Sequence, residues 1–221
     1  MREGTISGNT IQALFSPGGA NIRFTGIPGN PLKVGVWSIT GNHIANQETS
    51  IHLQDASGVT ITGNTFVRGF ERHIRLERVR NVIISDNVFD HNADYFTPTT
   101  RSLGGLAIER SRGVIVSDNI IEGVDAGTAE SGGAIAVTDS RDVTLTGNQI
   151  LDPKVRGFYI ARSANVRLSD CLVSETPGQS RMLAAVELSG ACPGTVVRAN
   201  TLERGKNGAV VGNATGARIE E

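Results

Sequence analysis

A strand-like stretch that ends on asparagine returns at regular intervals along this chain, and that repeat restricts the fold more than any other feature. TISGN ends at Asn9, SITGN at Asn42, TITGN at Asn64, IISDN at Asn87, IVSDN at Asn119, TLTGN at Asn148 and VVRAN at Asn200, with RLSDC placing Cys171 at the same position. Within two residues of each comes an apolar side chain: Ile11, Ile44, Phe66, Phe89, Ile121, Ile150, Val173 and Leu202. Upstream of most units lies a second alternating stretch, as in SIHLQ (50–54), HIRLE (73–77), GLAIE (105–109), AIAVT (134–138), GFYIA (157–161), AVELS (185–189) and GAVVG (208–212). Alternation with a period of two marks strands with one buried face.

The spacing is the informative part. Leu53 to Val59, Leu76 to Val82, Ile108 to Val114, Val137 to Val143 and Ile160 to Val166 are all six residues apart, and each valine precedes its asparagine position by five. All variation falls between that position and the next upstream strand, where the gaps are 11, 12, 21, 18, 12 and 17 residues. The minimal unit is therefore 22 or 23 residues, with insertions at one corner only. A unit this short cannot close a core by itself, whereas stacked coils share a continuous one. The repeat predicts an all-β parallel coil of about eight turns, with three short sheets and amides piled at one corner. At the ~4.8 Å distance between neighbouring strands, identical amides hydrogen-bond along the stack. Gly8, Gly41, Gly63, Asp86, Asp118, Gly147 and Asp170 precede the corner, and both residue types tolerate unusual turn dihedrals.

From Thr5 to about Gly212 the chain resembles the right-handed parallel β-helix superfamily, which includes pectate lyases, polygalacturonases, mannuronan epimerases and phage tailspikes. The resemblance implies a single-stranded right-handed β-helix in which HIRLE belongs to the first sheet, NVIIS to the second, and VF after the asparagine to the third. It also implies a polysaccharide partner lying along the first sheet, walled by loops, and an extracytoplasmic or secreted location. The familiar catalytic signatures of the superfamily are absent. The chain lacks the clustered aspartates and Gly-His-Gly of polygalacturonases and the Asp-Pro-His of mannuronan epimerases. The lysine that works with an arginine in lyases related to chondroitinase B has no counterpart either, because Lys33, Lys154 and Lys206 all lie off the first sheet.

Bulk properties narrow the partners. A net charge of −1 lacks the basic footprint of a nucleic-acid binder, and no apolar run is long enough to span a bilayer as a helix. MREGTISGN has no signal-peptide core. One domain over 1–221 is expected, with Met1 to Thr25 either an irregular cap or the edge of a segment from a longer protein. Cys171 and Cys192 lie near opposite ends of a strand, roughly 13 Å apart at ~3.3 Å per residue, too far for a disulfide. Both are expected free, with Cys171 buried as packing.

The residues between the inward apolar positions of the first sheet form outward columns. One column is His52, Arg75, Ala107, Ala136, Tyr159, Glu187 and Val210; the next is Gln54, Glu77, Glu109, Thr138, Ala161, Ser189 and Gly212. Arg72 and His73 come just before the sheet. Ala107 and Ala136 are expected to leave a shallow floor, beside the insertions 91–105 and 122–133. Three chemistries fit. Lyase or epimerase work on a uronate needs a cation for the carboxylate and a base for the C5 proton, roles open to Arg75 or Arg72 and to His52, His73 or Tyr95. Hydrolysis needs two carboxylates, which Glu77 and Glu109 supply on adjacent coils. Binding alone needs aromatic rings and arginines, which Tyr159, Tyr95, Arg72 and Arg101 supply. The candidate catalytic set is thus His52, His73, Arg75, Glu77 and Glu109, and the candidate binding set is Arg72, Tyr95, Arg101 and Tyr159. Asp94, Asp125 and Glu130 are scattered on loops without ligand spacing, which gives calcium only weak support, so no cofactor is expected beyond that one weak alternative. The competing reading of Arg75, Glu77 and Glu109 is a solvated, charge-paired sheet surface. At the next corner Arg80, Arg112 and Arg141 share one position, and Asp55, Arg78, Arg110, Asp139 and Arg162 share another two residues earlier. Pairing by Glu77, Glu109 and Asp142 predicts a self-neutralised face there rather than an anion site. The function expected is a lyase or hydrolase acting on an acidic polysaccharide, with a non-catalytic glycan-binding, adhesin or spacer module as the alternative.

Overall fold

The structure, a computed structural model, describes residues 3–30, 34–91 and 102–220. Among the described residues the chain forms 23 strands and no helix. Nine strands, from Gly4–Ser7 through Arg80–Ser85 and Arg112–Ser117 to Arg218–Glu220, make the second sheet. All its pairings are parallel, and Val59, Val82, Val114, Val143 and Val166 lie in one register column. This is the arrangement of a parallel β-helix. The inward columns are sealed: Ile51, Leu53, Val59, Ile61, Phe66, Ile74, Leu76, Val82, Ile84 and Phe89 have no exposed surface. Burying each contributes about 1.5–3 kcal/mol. Phe66 and Phe89 stack nearly parallel at 4.6 Å between centroids, carrying the core from rung to rung.

Two expectations change. First and third sheets are not separate, because His43–Gln54 and Thr65–Glu77 run unbroken from third-sheet to first-sheet positions and join both into one 14-stranded sheet. Both coils carry short gaps, and a left-handed residue, Asn46 (φ 63°) or Arg68 (φ 53°), absorbs the bend within each strand. In the coils of Gly123 (φ 62°) and Asp152 (φ 51°) the residue at the same offset ends the strand instead. The second change is at the start. Gly4–Ser7, Thr10–Gln12 and Ala20–Thr25 pair in parallel with the next coil, so residues 4–25 continue the helix rather than forming an irregular cap.

The asparagines form a continuous hydrogen-bonded column. Asn9 Nδ2 donates to Asn42 Oδ1 at 3.0 Å, Asn42 to Asn64 at 3.0 Å, Asn64 to Asn87 at 3.0 Å, Asn87 to Asn119 at 2.9 Å and Asn119 to Asn148 at 2.9 Å. Each acceptor oxygen also takes the backbone N–H of the preceding asparagine, as from Asn64 to Asn87 at 2.9 Å. The residue before each position of this column is left-handed, including Asp86 and Asp118, and Asp170 before Cys171, all at φ 57°. Cys171 continues the column as a buried free thiol that accepts from Asn148 Nδ2 at 3.9 Å. Burial pushes its pKa up to about 11, which suits packing and not nucleophilic work. Cys192 is also free and buried. The corner after the first sheet has a shorter hydroxyl counterpart: Ser111 Oγ accepts from Val79 N, Ser140 Oγ from Ser111 N, and Ser163 Oγ from Ser140 N, at 3.0–3.1 Å.

Candidate functional site

Parallel register delivers the expected outward column. Arg23, His52, Arg75, Ala107, Ala136, Tyr159 and Glu187 are successive partners along the first sheet. The last rung differs, because Val211 and not Val210 aligns with Glu187, while Gly212 pairs with Leu188.

Four candidates converge. Glu77 faces His52 Nε2 at 3.0 Å through Oε2 and accepts from Arg75 at 2.9 Å through Oε1. Arg75 Nε lies 4.0 Å from Glu109 Oε1. Arg110, from the neighbouring corner column, binds both acids, at 3.4 Å to Glu77 and 3.3 Å to Glu109. Its signal in the sequence is its place immediately after Glu109, matching Arg78 after Glu77. Burial alone would raise the Glu77 carboxyl, but the His52 hydrogen bond and the Arg75 charge outweigh it and hold the group below the usual range. Glu77 is therefore ionised, and its bond to His52 places the ring proton on Nε2. Nδ1 takes no bond from the described residues. Arg72 turns a guanidinium nitrogen to the Glu71 carbonyl at 2.8 Å, and burial depresses its pKa.

Other candidates sit elsewhere. His73 is not on the open face: it is buried, tilted against Phe66 and Phe89 at 6.1 and 5.3 Å, and its Nδ1 accepts from Gly105 N at 3.1 Å. Among the described residues its Nε2 has no partner, and burial, with His91 nearby, pushes the pKa down to about 3. A neutral imidazole sealed in the core cannot meet a substrate. The expected shallow floor is covered as well, since Ala107, Ala136 and Tyr159 are all buried. Beside Tyr159 lies Arg156, itself almost inaccessible, which pairs with Glu187 and donates to the carbonyls of Thr128 at 2.7 Å, Ala129 at 2.6 Å and Gly132 at 3.3 Å. It pins the 122–133 insertion over the sheet and lies 5.8 Å from the Tyr159 ring. Tyr159 is thus engaged by Arg156 and is not presented for stacking on a sugar. Tyr95 and Arg101 lie outside the described residues. The open part of the face contracts to the rungs of His52, Arg75, Glu77 and Glu109.

The fold and this outward face define a parallel β-helix protein. The chain belongs to the NosD family, whose model, described as a periplasmic copper-binding protein, matches residues 3–186. Among solved structures it is similar to an alginate lyase from Paenibacillus sp. str. FPU-7, at 13% identity and a TM-score of 0.52, over 96% of this chain and 99% of that one. It is also similar to the A-module of the mannuronan C-5 epimerase from Azotobacter vinelandii, at 10% identity and a TM-score of 0.42, over 84% of this chain and 59% of that one. No curated protein sequence matches it. The family description raises copper, and the donors here do not fit it. Among the described residues no three His, Cys, Asp or Glu side chains converge to hold an ion. His73 is sealed between aromatic rings, and the two cysteines are buried at different corners.

Proposed function

We propose that the chain acts on an acidic polysaccharide lying across the first-sheet face at the rungs of His52 and Arg75. The observation that carries this reading is the convergence of His52, Arg75 and Arg110 on Glu77. The Arg75 side chain is about one-third exposed (35%) and offers a cation to a uronate carboxylate. Glu77 fixes the His52 tautomer, leaving Nδ1 as the base for a C5 proton. Because Glu77 is held ionised, it is poorly suited to the acid half of a two-carboxylate hydrolysis. Proton abstraction, as in a lyase or epimerase, is the better match. The fold shared with an alginate lyase supports this substrate class, and the word periplasmic in the family description supports an extracytoplasmic location.

The test is incubation with a panel of uronate polysaccharides, following unsaturated-product absorbance and reducing ends, with His52→Gln and Arg75→Ala alongside. Turnover by the wild type with release of unsaturated ends is expected. His52→Gln should lose about 10²-fold or more, the usual contribution of a general base. No turnover on any member of the panel refutes catalysis and leaves a non-catalytic glycan-binding or spacer module.

A further inference from the structure

The corner after the first sheet pairs part of its charge as its pattern predicts, Arg110 with Glu77 and Glu109 and Arg141 with Asp142. It encloses a hollow of about 300 Å³ lined by Arg78, Arg80, Arg110, Arg112 and Arg141 with a single acid, Asp139, over a floor of Val79 and Ser111. Arg80, Arg112 and Arg141 are register partners on three successive rungs, and stacking like charges in this way is unfavourable unless something offsets it. The available acids are engaged unevenly. Asp55 is bound by Arg78 at 3.0 Å. Asp139, the only acid in the lining, is bound through both oxygens by Arg162 at 2.7 and 2.8 Å. Glu77 and Glu109 face the first sheet, where they meet Arg75, and of the arginines lining the hollow they pair with Arg110. Asp142 reaches Arg141 only at 3.9 Å, and Arg112 has no partner among the described residues.

We propose that this hollow is a second anion site, distinct from the first-sheet face, which takes the carboxylate or sulfate groups of an acidic polysaccharide running along the stack. The guanidinium column repeats once per rung, ~4.8 Å apart, so it offers charge on the scale at which a polymer with one anionic group per sugar presents it. Arginine forks bind such oxyanions through paired, charge-assisted hydrogen bonds. Arg110 lines the hollow and also contacts Glu77, so a chain held at the corner is delivered beside the first-sheet residues. The inference shares only the ligand class with the function proposed above and needs no turnover.

The experiment is isothermal titration of the intact protein with a short alginate oligosaccharide, with sodium sulfate as the small-anion probe and a neutral maltooligosaccharide as control. Arg112→Gln, Arg112→Gln/Arg141→Gln and Arg75→Ala are compared, with melting midpoints checking that each folds. Arg112 and Arg141 are exposed, so both Gln variants are expected to fold normally. Each Gln should weaken alginate binding about tenfold, the effect of losing one charge-assisted hydrogen bond, and added salt should weaken it further. Arg75→Ala should leave the corner binding in place. Unchanged affinity in the double variant, or equal affinity for the neutral sugar, overturns the site. Sulfate binding as tightly as the oligosaccharide overturns its assignment to a polymer. Failure of turnover with Arg112-dependent binding intact counts against the first-sheet reading alone.

Discussion

Replacing Asn87 by alanine tests whether the amide column holds the helix together. The Asn87 side chain makes five hydrogen bonds with no solvent contact. It donates to Asn119 Oδ1 at 2.9 Å, the Ile61 carbonyl at 3.0 Å and the Ser85 carbonyl at 2.9 Å, and accepts from Asn64 N at 2.9 Å and Asn64 Nδ2 at 3.0 Å. Alanine strands the buried Asn64 N–H and removes a donor from the buried Ile61 carbonyl. Asn64 Nδ2 keeps the Ile39 and Thr62 carbonyls, and Asn119 Oδ1 keeps the Asn87 backbone N–H. At about 1–3 kcal/mol per stranded buried group, with a small cavity added, the cost is about 3–5 kcal/mol. For a chain of this length that lowers the melting midpoint by roughly 6–20 °C. Asn9 is the internal control. It sits at the exposed end of the same column, with Nδ2 bonds to Ser7 and Asn42 only, and water replaces what is lost. Asn9→Ala should cost about 0.5–1 kcal/mol, or roughly 1–4 °C. Melting both variants by far-UV circular dichroism decides the matter. Equal shifts for the two, or a shift under about 2 °C for Asn87→Ala, would refute a role for buried amide satisfaction.

Two further outcomes follow from buried charge and its partners. His73 stays neutral in the folded chain down to about pH 3, while in the unfolded chain it takes a proton near 6.5. Its contribution is complete above that pH and is lost as pH falls, at about 1.4 kcal/mol per unit. His73→Leu should therefore flatten the decline of the melting midpoint between pH 6.5 and pH 4, and an unchanged slope would contradict its burial. Arg156→Ala should free the insertion over Tyr159, seen as faster proteolytic cleavage between Gly127 and Gly132, with cleavage elsewhere unaltered. Protection equal to wild type would mean other contacts hold that loop.

Much of this architecture was legible in the chain because its spacing admits one solution. A constant offset of Asn64, Asn87, Asn119 and Asn148 from the preceding valines can only pile amides at one bend, and the register agrees. Fusion of two sheets was not legible. A gap of 11 or 12 residues does not say whether the chain turns a corner or bends within a strand, and Asn46 and Arg68 bend it. The slip at Val210 has a similar cause. GAVVG offers small and apolar residues on both faces, so burial does not choose a register. In the candidate site, alternation placed His52, Arg75, Glu77 and Glu109 correctly, but strict alternation back from Ile74 turns His73 outward. The strand shifts register near Gln47 and Thr49 of its neighbour, and both His73 and Ile74 become buried. Arg156 escaped notice because its partners are backbone carbonyls of a distant loop, which leave no pattern in the residue types.

The confinement of every insertion to one bend has a consequence for how such a molecule can diversify. Doubling the length of a flexible loop adds only about 0.6 kcal/mol of closure entropy, whereas one extra residue at the asparagine bend would interrupt the amide column and turn a whole strand inside out. Segments can therefore be lengthened, shortened or exchanged beside the His52–Arg75 face with little penalty to the scaffold. New ligand preferences would arise there by splicing, while the rungs beneath keep their dimensions.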